Sequence, residues 1–242
     1  MSCDRGRYYI SNGTASRDRR ELPSGEQKEP LLSKQDALDI MMMRRCVALS
    51  RAAGHKGELP FASLICKGTE VLVEATNENT LDLDTTRHAE LIALSKAQRQ
   101  TGSDNLEGYT LYSNVEPCVM CSLSIRETRI SRLVYSLESP LMGGDTKWPI
   151  LRDEALSNAM PEAFGYPPDI VSGLLAEEAA KAWHDWNPLI WHVVRGRGCF
   201  HTAPFTRWQA PAHQTPLLRR AIWRTWHHIR HLLAVRRKAT SG

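Results

Sequence analysis

From Ser33 onward the apolar positions fall into short periodic blocks separated by polar turns. Leu38, Met42, Val47 and Leu49 fall on one helical face. Ser33 stands where an N-cap belongs, Asp36 three residues later is its capping-box partner, and Gly54 marks a C′ stop. Residues 61–66 and 71–75 are two apolar runs joined by Lys67-Gly68-Thr69, which predicts a β-hairpin. A polar loop follows at 77–87. Helical spacing returns over 88–100 in Leu91, Leu94 and Ala97. After a loop at 101–108, residues 109–113 read as a strand, 118–128 as a helix and 133–136 as a strand.

The last two strands are separated by a helical crossover, so they should run parallel. The order predicts an α/β fold, a three-layer α/β/α sandwich with a central mixed sheet of about five strands. Residues 139–168, with Gly143-Gly144, Trp148 and Pro167-Pro168, read as a long loop carrying one short helix near 150–160. A short strand at 170–172 and a helix at 174–186 complete a domain spanning 33–195. In that helix Leu175, Ala179 and Trp183 fall on one side; Trp183, Trp186 and Trp191 read as core packing rather than as stacking platforms. Residues 1–32 are rich in Arg, Ser, Gly, Glu and Pro without apolar period, the pattern of a disordered arm.

Composition adds two points. At 42% hydrophobic and 24% charged residues, with no apolar run approaching ~18 positions, the chain reads as globular, without a membrane span. Its N-terminus has no secretory apolar core, and its six cysteines are too sparse for a disulfide scaffold, so an intracellular, cytoplasmic protein with reduced thiols is expected. The net charge of +4 hides an asymmetry: residues 188–242 carry ten Arg or Lys and no acid, while the other 187 residues hold 21 basic and 27 acidic side chains. Residues 196–242 therefore form a basic, Trp/His-rich extension. Within it, Leu218, Ile222, Trp226, Ile229 and Leu233 predict a basic amphipathic helix over 217–238, able to meet nucleic-acid phosphates, an anionic surface or a partner.

The chemistry concentrates in His88-Ala89-Glu90 and Pro117-Cys118-Val119-Met120-Cys121. Two cysteines at i and i+3 on the first turn of a helix point the same way, and the helix N-terminus favours their thiolates. His88, opening another helix, completes three ligands for Zn²⁺, leaving the fourth tetrahedral position to water as in catalytic zinc sites. Glu90 is close to the metal but differently directed, placed to accept the proton of such a water and pass it on. A structural zinc would want a second Cys/His pair, which Cys46, Cys66 and Cys199 do not form, and a redox pair has no use for His88 and Glu90.

Five segments within residues 58–135 carry a resemblance: Glu58-Leu59-Pro60-Phe61-Ala62, Asn77-Glu78, Thr86-Arg87-His88-Ala89-Glu90, Val115-Glu116-Pro117-Cys118-Val119-Met120-Cys121 and Arg132-Leu133-Val134-Tyr135. Together they resemble the cytidine deaminase-like superfamily, most closely the tRNA adenosine deaminases. The resemblance implies hydrolytic deamination with release of ammonia, Glu90 as the proton carrier, Asn77 as a base-binding amide and a homodimer. It also places Glu58 and Pro60 in the loop that walls the pocket, whereas the residues alone read Glu58 as a solvated charge. Glu116 is expected to shape the turn into the zinc helix. Residues 139–168 depart from the tRNA enzymes. Three functions stay open: tRNA adenosine deamination, deamination of a free guanine- or cytosine-type base or nucleoside, and a non-catalytic RNA-binding subunit. Retention of Glu90 speaks against the last.

Overall fold

The computed structural model describes residues 33–211 and Thr225, so the arm expected at 1–32 and the helix expected at 217–238 lie outside the described residues. Helix α1 (Lys34–His55) begins with the expected capping box: Ser33 Oγ accepts from the Asp36 amide and the Asp36 carboxylate accepts from the Ser33 amide, both at 3.1 Å. Its end differs from expectation. Gly54 remains helical and lies so close to the Trp186 indole that a Cβ there would collide, and Gly57, at φ +87°, makes the left-handed turn instead.

The hairpin follows as β1 (Ala62–Lys67) and β2 (Glu70–Thr76), antiparallel, turning at Gly68. The loop at 77–87 contains one helical turn, α2 (Asn79–Asp82), steadied where Glu58 accepts from the Leu81 amide and Arg87 pairs with Glu78 and Asp82. Then come α3 (Ala89–Thr101), β3 (Thr110–Val115), α4 (Val119–Glu127) and β4 (Arg132–Leu137). A 3₁₀ turn (Pro149–Arg152) and α5 (Glu154–Ala159) lead to β5 (Asp169–Ser172), α6 (Ala176–Trp186), α7 (Pro188–Gly196) and β6 (Thr206–Trp208).

Among the described residues these strands form one mixed sheet in the order β2-β1-β3-β4-β5-β6, with β3, β4 and β5 parallel and the other pairs antiparallel. The three-layer arrangement is as expected. The sixth strand comes from residues assigned to the C-terminal extension: β6 pairs with β5, and Phe200 is buried in the core. A three-residue strand without alternating apolar positions carries almost no sequence signal.

Alternation along the strands sends side chains to two cores. Leu64, Cys66, Tyr112 and Val134 meet α1 and α6, where Trp183 packs edge-on to Phe61 at a ring separation of 4.9 Å. Ile65, Leu111, Leu133 and Tyr135 meet Ile92 and Leu94 of α3 and Ile125 of α4. Trp183 and Trp191 are buried, consistent with packing roles. Among the described residues no helix is long and apolar enough to cross a membrane.

Candidate active site

The loop after β2 leads into α3 and the end of β3 leads into α4, and the N-termini of these two helices meet. His88 is the N-cap of α3, and Cys118 is the N-cap of α4 with Cys121 in its first turn. His88 Nδ1 lies 3.5 Å from each sulfur, and the two sulfurs are 3.6 Å apart. A tetrahedral zinc with Zn–S near ~2.3 Å and Zn–N near ~2.0 Å requires edges of about 3.8 Å between sulfurs and about 3.6 Å between sulfur and nitrogen. The three donors fit that ion in type, number and spacing, and no other group of three His, Cys, Asp or Glu donors does so among the described residues.

The electrostatics divide the two thiols. Cys118 is drawn down to about 4, first by its hydrogen bond with Cys121 and further by His88. Cys121 is pushed well up by that same bond and by burial, so the pair holds one proton between them. His88 is raised because it hydrogen-bonds the Cys118 sulfur. Glu90, at the second position of α3, is 6% exposed, and its Oε2 lies 3.7 Å from the Cys121 sulfur. Burial raises its pKa, the condition for a carboxyl that must carry a proton near neutral pH.

These groups open onto a cavity of about 320 Å³, lined by His88, Glu90, Cys118, Asn77 and apolar side chains. Asn77 is 3% exposed and donates from Nδ2 to Glu58 Oε2 at 2.9 Å. Glu58 is 1% exposed, not a solvated charge: its carboxylate is spent on Asn77 and on the Leu81 amide. Leu59 and Phe61 line the cavity, while Pro60 between them turns its carbonyl to the Asn114 amide at 2.8 Å.

A family profile, the cytidine and deoxycytidylate deaminase zinc-binding region, matches residues 37–137. A tRNA-specific adenosine deaminase of Aquifex aeolicus is 35% identical over 133 residues, which is 54% of this chain and 88% of that protein. The chain belongs to the cytidine deaminase-like superfamily. The chain is also 31% identical over 151 residues to a tRNA(Ile)-lysidine synthase of Deinococcus deserti, covering 62% of the chain but only 27% of that protein's length. Among solved structures, one from a study of A-to-I editing by tRNA:A34 deaminases is 27% identical with a TM-score of 0.52, covering 59% of this chain and 97% of that one.

Two features of the deaminase site go beyond the sequence reading. Glu116, expected only to shape a turn, is a buried hub: it accepts from the amides of Ser139, Asp145 and Thr146 at 2.7–2.9 Å and from the Thr146 hydroxyl. Burial pushes its pKa up and those amides pull it back. Gly143 and Gly144 permit this approach, since a Cβ on either would collide with Glu116 or Ser122. The second feature is the wall made by Ile190, Val194, Cys199 and Phe200, from α7 and the segment after it. The apolar run Leu189-Ile190-Trp191 with Val193 and Val194 marks this helix in the sequence but not which of its residues face the cavity.

Proposed function

We propose that this protein is a zinc-dependent hydrolytic deaminase that converts adenosine to inosine in tRNA. The observation that carries the chemistry is the His88, Cys118 and Cys121 triangle with Glu90 beside it in a common cavity. His88 Nδ1 and the two sulfurs would hold Zn²⁺. When bound there, the metal acts as a Lewis acid that makes water nucleophilic at neutral pH. Glu90 then does the proton work. Its carboxylate takes a proton from the water whose oxygen bonds to the ring carbon bearing the amino group. It delivers that proton to the neighbouring ring nitrogen, takes the remaining proton of the new C–OH group and passes it to the amine, and the C–N bond breaks to release ammonia and leave a carbonyl. Asn77, fixed by Glu58, offers an amide to the edge of the base.

The tRNA substrate rests on similarity to tRNA-specific relatives. A tRNA substrate and free cysteines both fit a cytoplasmic setting. The apolar wall of Met142, Ile190, Val194 and Phe200 favours a second reading, a free base or nucleoside that the cavity would enclose. Ammonia release from zinc-loaded protein, offered tRNA, adenosine, adenine, guanine, cytosine and cytidine in parallel, separates the two. Inosine in tRNA supports the first; turnover of a free base alone replaces it with the second. Glu90→Gln should abolish turnover with zinc still bound, and activity persisting in that variant sinks the proton role.

A further inference from the structure

The stretch from Met142 to Trp148 carries no metal ligand, yet it is fastened to the start of α4. Gly143 stands opposite Cys118 in an isolated antiparallel bridge, and the Gly144 amide donates to the Pro117 carbonyl at 2.9 Å. Glu116 accepts from the Asp145 and Thr146 amides. Just beyond, the amide of fully buried Leu151 donates to the Gly144 carbonyl at 3.0 Å. This fixed backbone presents two things. Met142 reaches the cavity that His88 and Cys118 line. Lys147 and Trp148 stand in solvent, with the Trp148 amide bonded to the Gly143 carbonyl at 3.0 Å. Trp148 is 51% exposed, whereas the other tryptophans among the described residues are buried or half-buried. Lys147 Nζ lies 5.8 Å from the centre of the Trp148 ring. A single exposed apolar side chain is ordinary. An exposed indole with a cation over it, on a fixed backbone beside a cavity, has the makeup of a stacking platform for a nucleotide.

We propose that Lys147 and Trp148 form a subsite for the nucleotide next to the reacting adenosine, an inference that rests on the tRNA reading above. A base that enters the cavity leaves its stack, and the nucleotide beside it stays at the mouth. The indole offers that neighbouring base a flat apolar face, and the lysine offers its phosphate a cation. Every base has a π-face, so the platform supplies affinity and placement rather than sequence readout. Its rigidity matters as much as its chemistry. The bonds to Pro117, Glu116 and Gly144 set the platform at a fixed distance from Cys118, so a nucleotide stacked there holds its neighbour in register with the cavity. The departure of residues 139–168 from the tRNA enzymes then has a purpose that an RNA substrate can use.

The test is inosine formation in tRNA by the full-length zinc-loaded protein, with zinc content, thermal midpoint and sedimentation measured for each variant. Trp148→Leu, which keeps apolar bulk without a π-face, should raise KM roughly 10-fold while kcat moves less than about twofold. Trp148→Phe should recover most of that loss. Lys147→Ala should weaken tRNA binding and flatten its log–log salt slope by about 0.7, one single-strand phosphate contact. An RNA stem-loop with an abasic site on either side of the reacting adenosine isolates the stack. On it Trp148→Leu and the parent should perform alike, because the partner of the indole is already gone. Parental KM for tRNA in Trp148→Leu overturns the subsite and leaves the deaminase reading intact. An equal loss on the abasic stem-loop also overturns it, and a changed sedimentation coefficient assigns the indole to a contact between copies instead. An unchanged salt slope in Lys147→Ala overturns the part given to the lysine. Failure of the parent to form inosine in tRNA overturns the tRNA reading and the subsite with it. Should Trp148→Leu lose zinc or unfold, the parent alone decides: equal KM on the intact and abasic stem-loops overturns the subsite.

Discussion

At the scale of single residues, the ligand triangle contains an imbalance of protons with a measurable consequence. Near neutral pH the metal-free pocket holds Cys118 as a thiolate, with Cys121 still protonated and His88 raised toward its charged form. Zinc must displace those protons, since it binds thiolate and neutral imidazole. Lowering the pH strengthens the competition: His88 gains a proton below its raised pKa and Cys121 keeps its own throughout. Cys118, at about 4, stays ionised over that window and adds nothing to the slope. Apparent zinc affinity should therefore fall by about 10- to 100-fold per unit as the pH drops from about 8 to about 6. Competition with a chromophoric chelator at several pH values measures it, and a flat profile contradicts the proton assignment. The convergence of His88, Cys118 and Cys121 was legible in the sequence because helix geometry turns i and i+3 cysteines to one side. Asn77 was legible only as a family position. Glu58 was likewise named only by the family loop, and its burial and bond to Asn77 were not legible, because a carboxylate in a polar loop looks solvated until the fold closes over it, to 1% exposure.

Elements that carry no ligand hold the site in shape. α1 is tied to the sheet through Asp39, which accepts from the Tyr112 hydroxyl at 2.8 Å and pairs with Arg132 of β4. The segment between β4 and β5 is held from two sides. Glu116 gathers its first part by three amides, and Arg126 of α4, buried, donates to the carbonyls of Ile150, Asp153 and Gly165 and to the Ser157 hydroxyl. Burial draws the Arg126 guanidinium down to about 10, so its charge is uncomfortable and its bonds are what keep it. The same α4 begins with Cys118 and Cys121, which makes the segment and the metal site share one helix. Glu116→Gln, which trades a charged acceptor of three amides for a neutral one, should cost about 1–3 kcal/mol of stability. It should also lower turnover, because Ser139 and Met142 line the cavity. Urea melts beside kinetics check this; an unchanged midpoint with unchanged turnover removes Glu116 as the hub. Strands β1 to β5 and helices α1, α3 and α4 were readable from apolar period, turns and the α1 cap. The packing of 139–168 was not, because its order comes from carboxylate and guanidinium bonds to backbone groups, which leave no period in the sequence.

For the molecule as a whole, charge is the property that a tRNA substrate would exploit. The ten basic residues of 188–242 face no acid within that stretch, and seven of them lie between 217 and 238. Phosphate neutralisation by such a cluster releases counterions, so binding weakens linearly in log–log terms with salt, with a slope of roughly −0.7 to −0.9 for each contact formed. The described part of the extension is already committed elsewhere: β6 completes the sheet, Phe200 fills the core and Arg207 pairs with Asp36. Deleting residues 212–242 spares these described contacts while removing most of the extension's charge. For the truncated protein we expect tRNA affinity to drop at least about 10-fold at low salt and its salt slope to flatten by several contacts' worth. Ammonia release from a free nucleoside, if the cavity accepts one, should stay within about twofold of the parent, because the described lining residues all lie before residue 212. Filter binding over a salt series, with tRNA as the probe, measures both quantities. An unchanged slope on truncation would detach the basic extension from RNA and leave affinity to the surface around the cavity; a collapse of nucleoside turnover would instead assign residues beyond 211 to the fold itself.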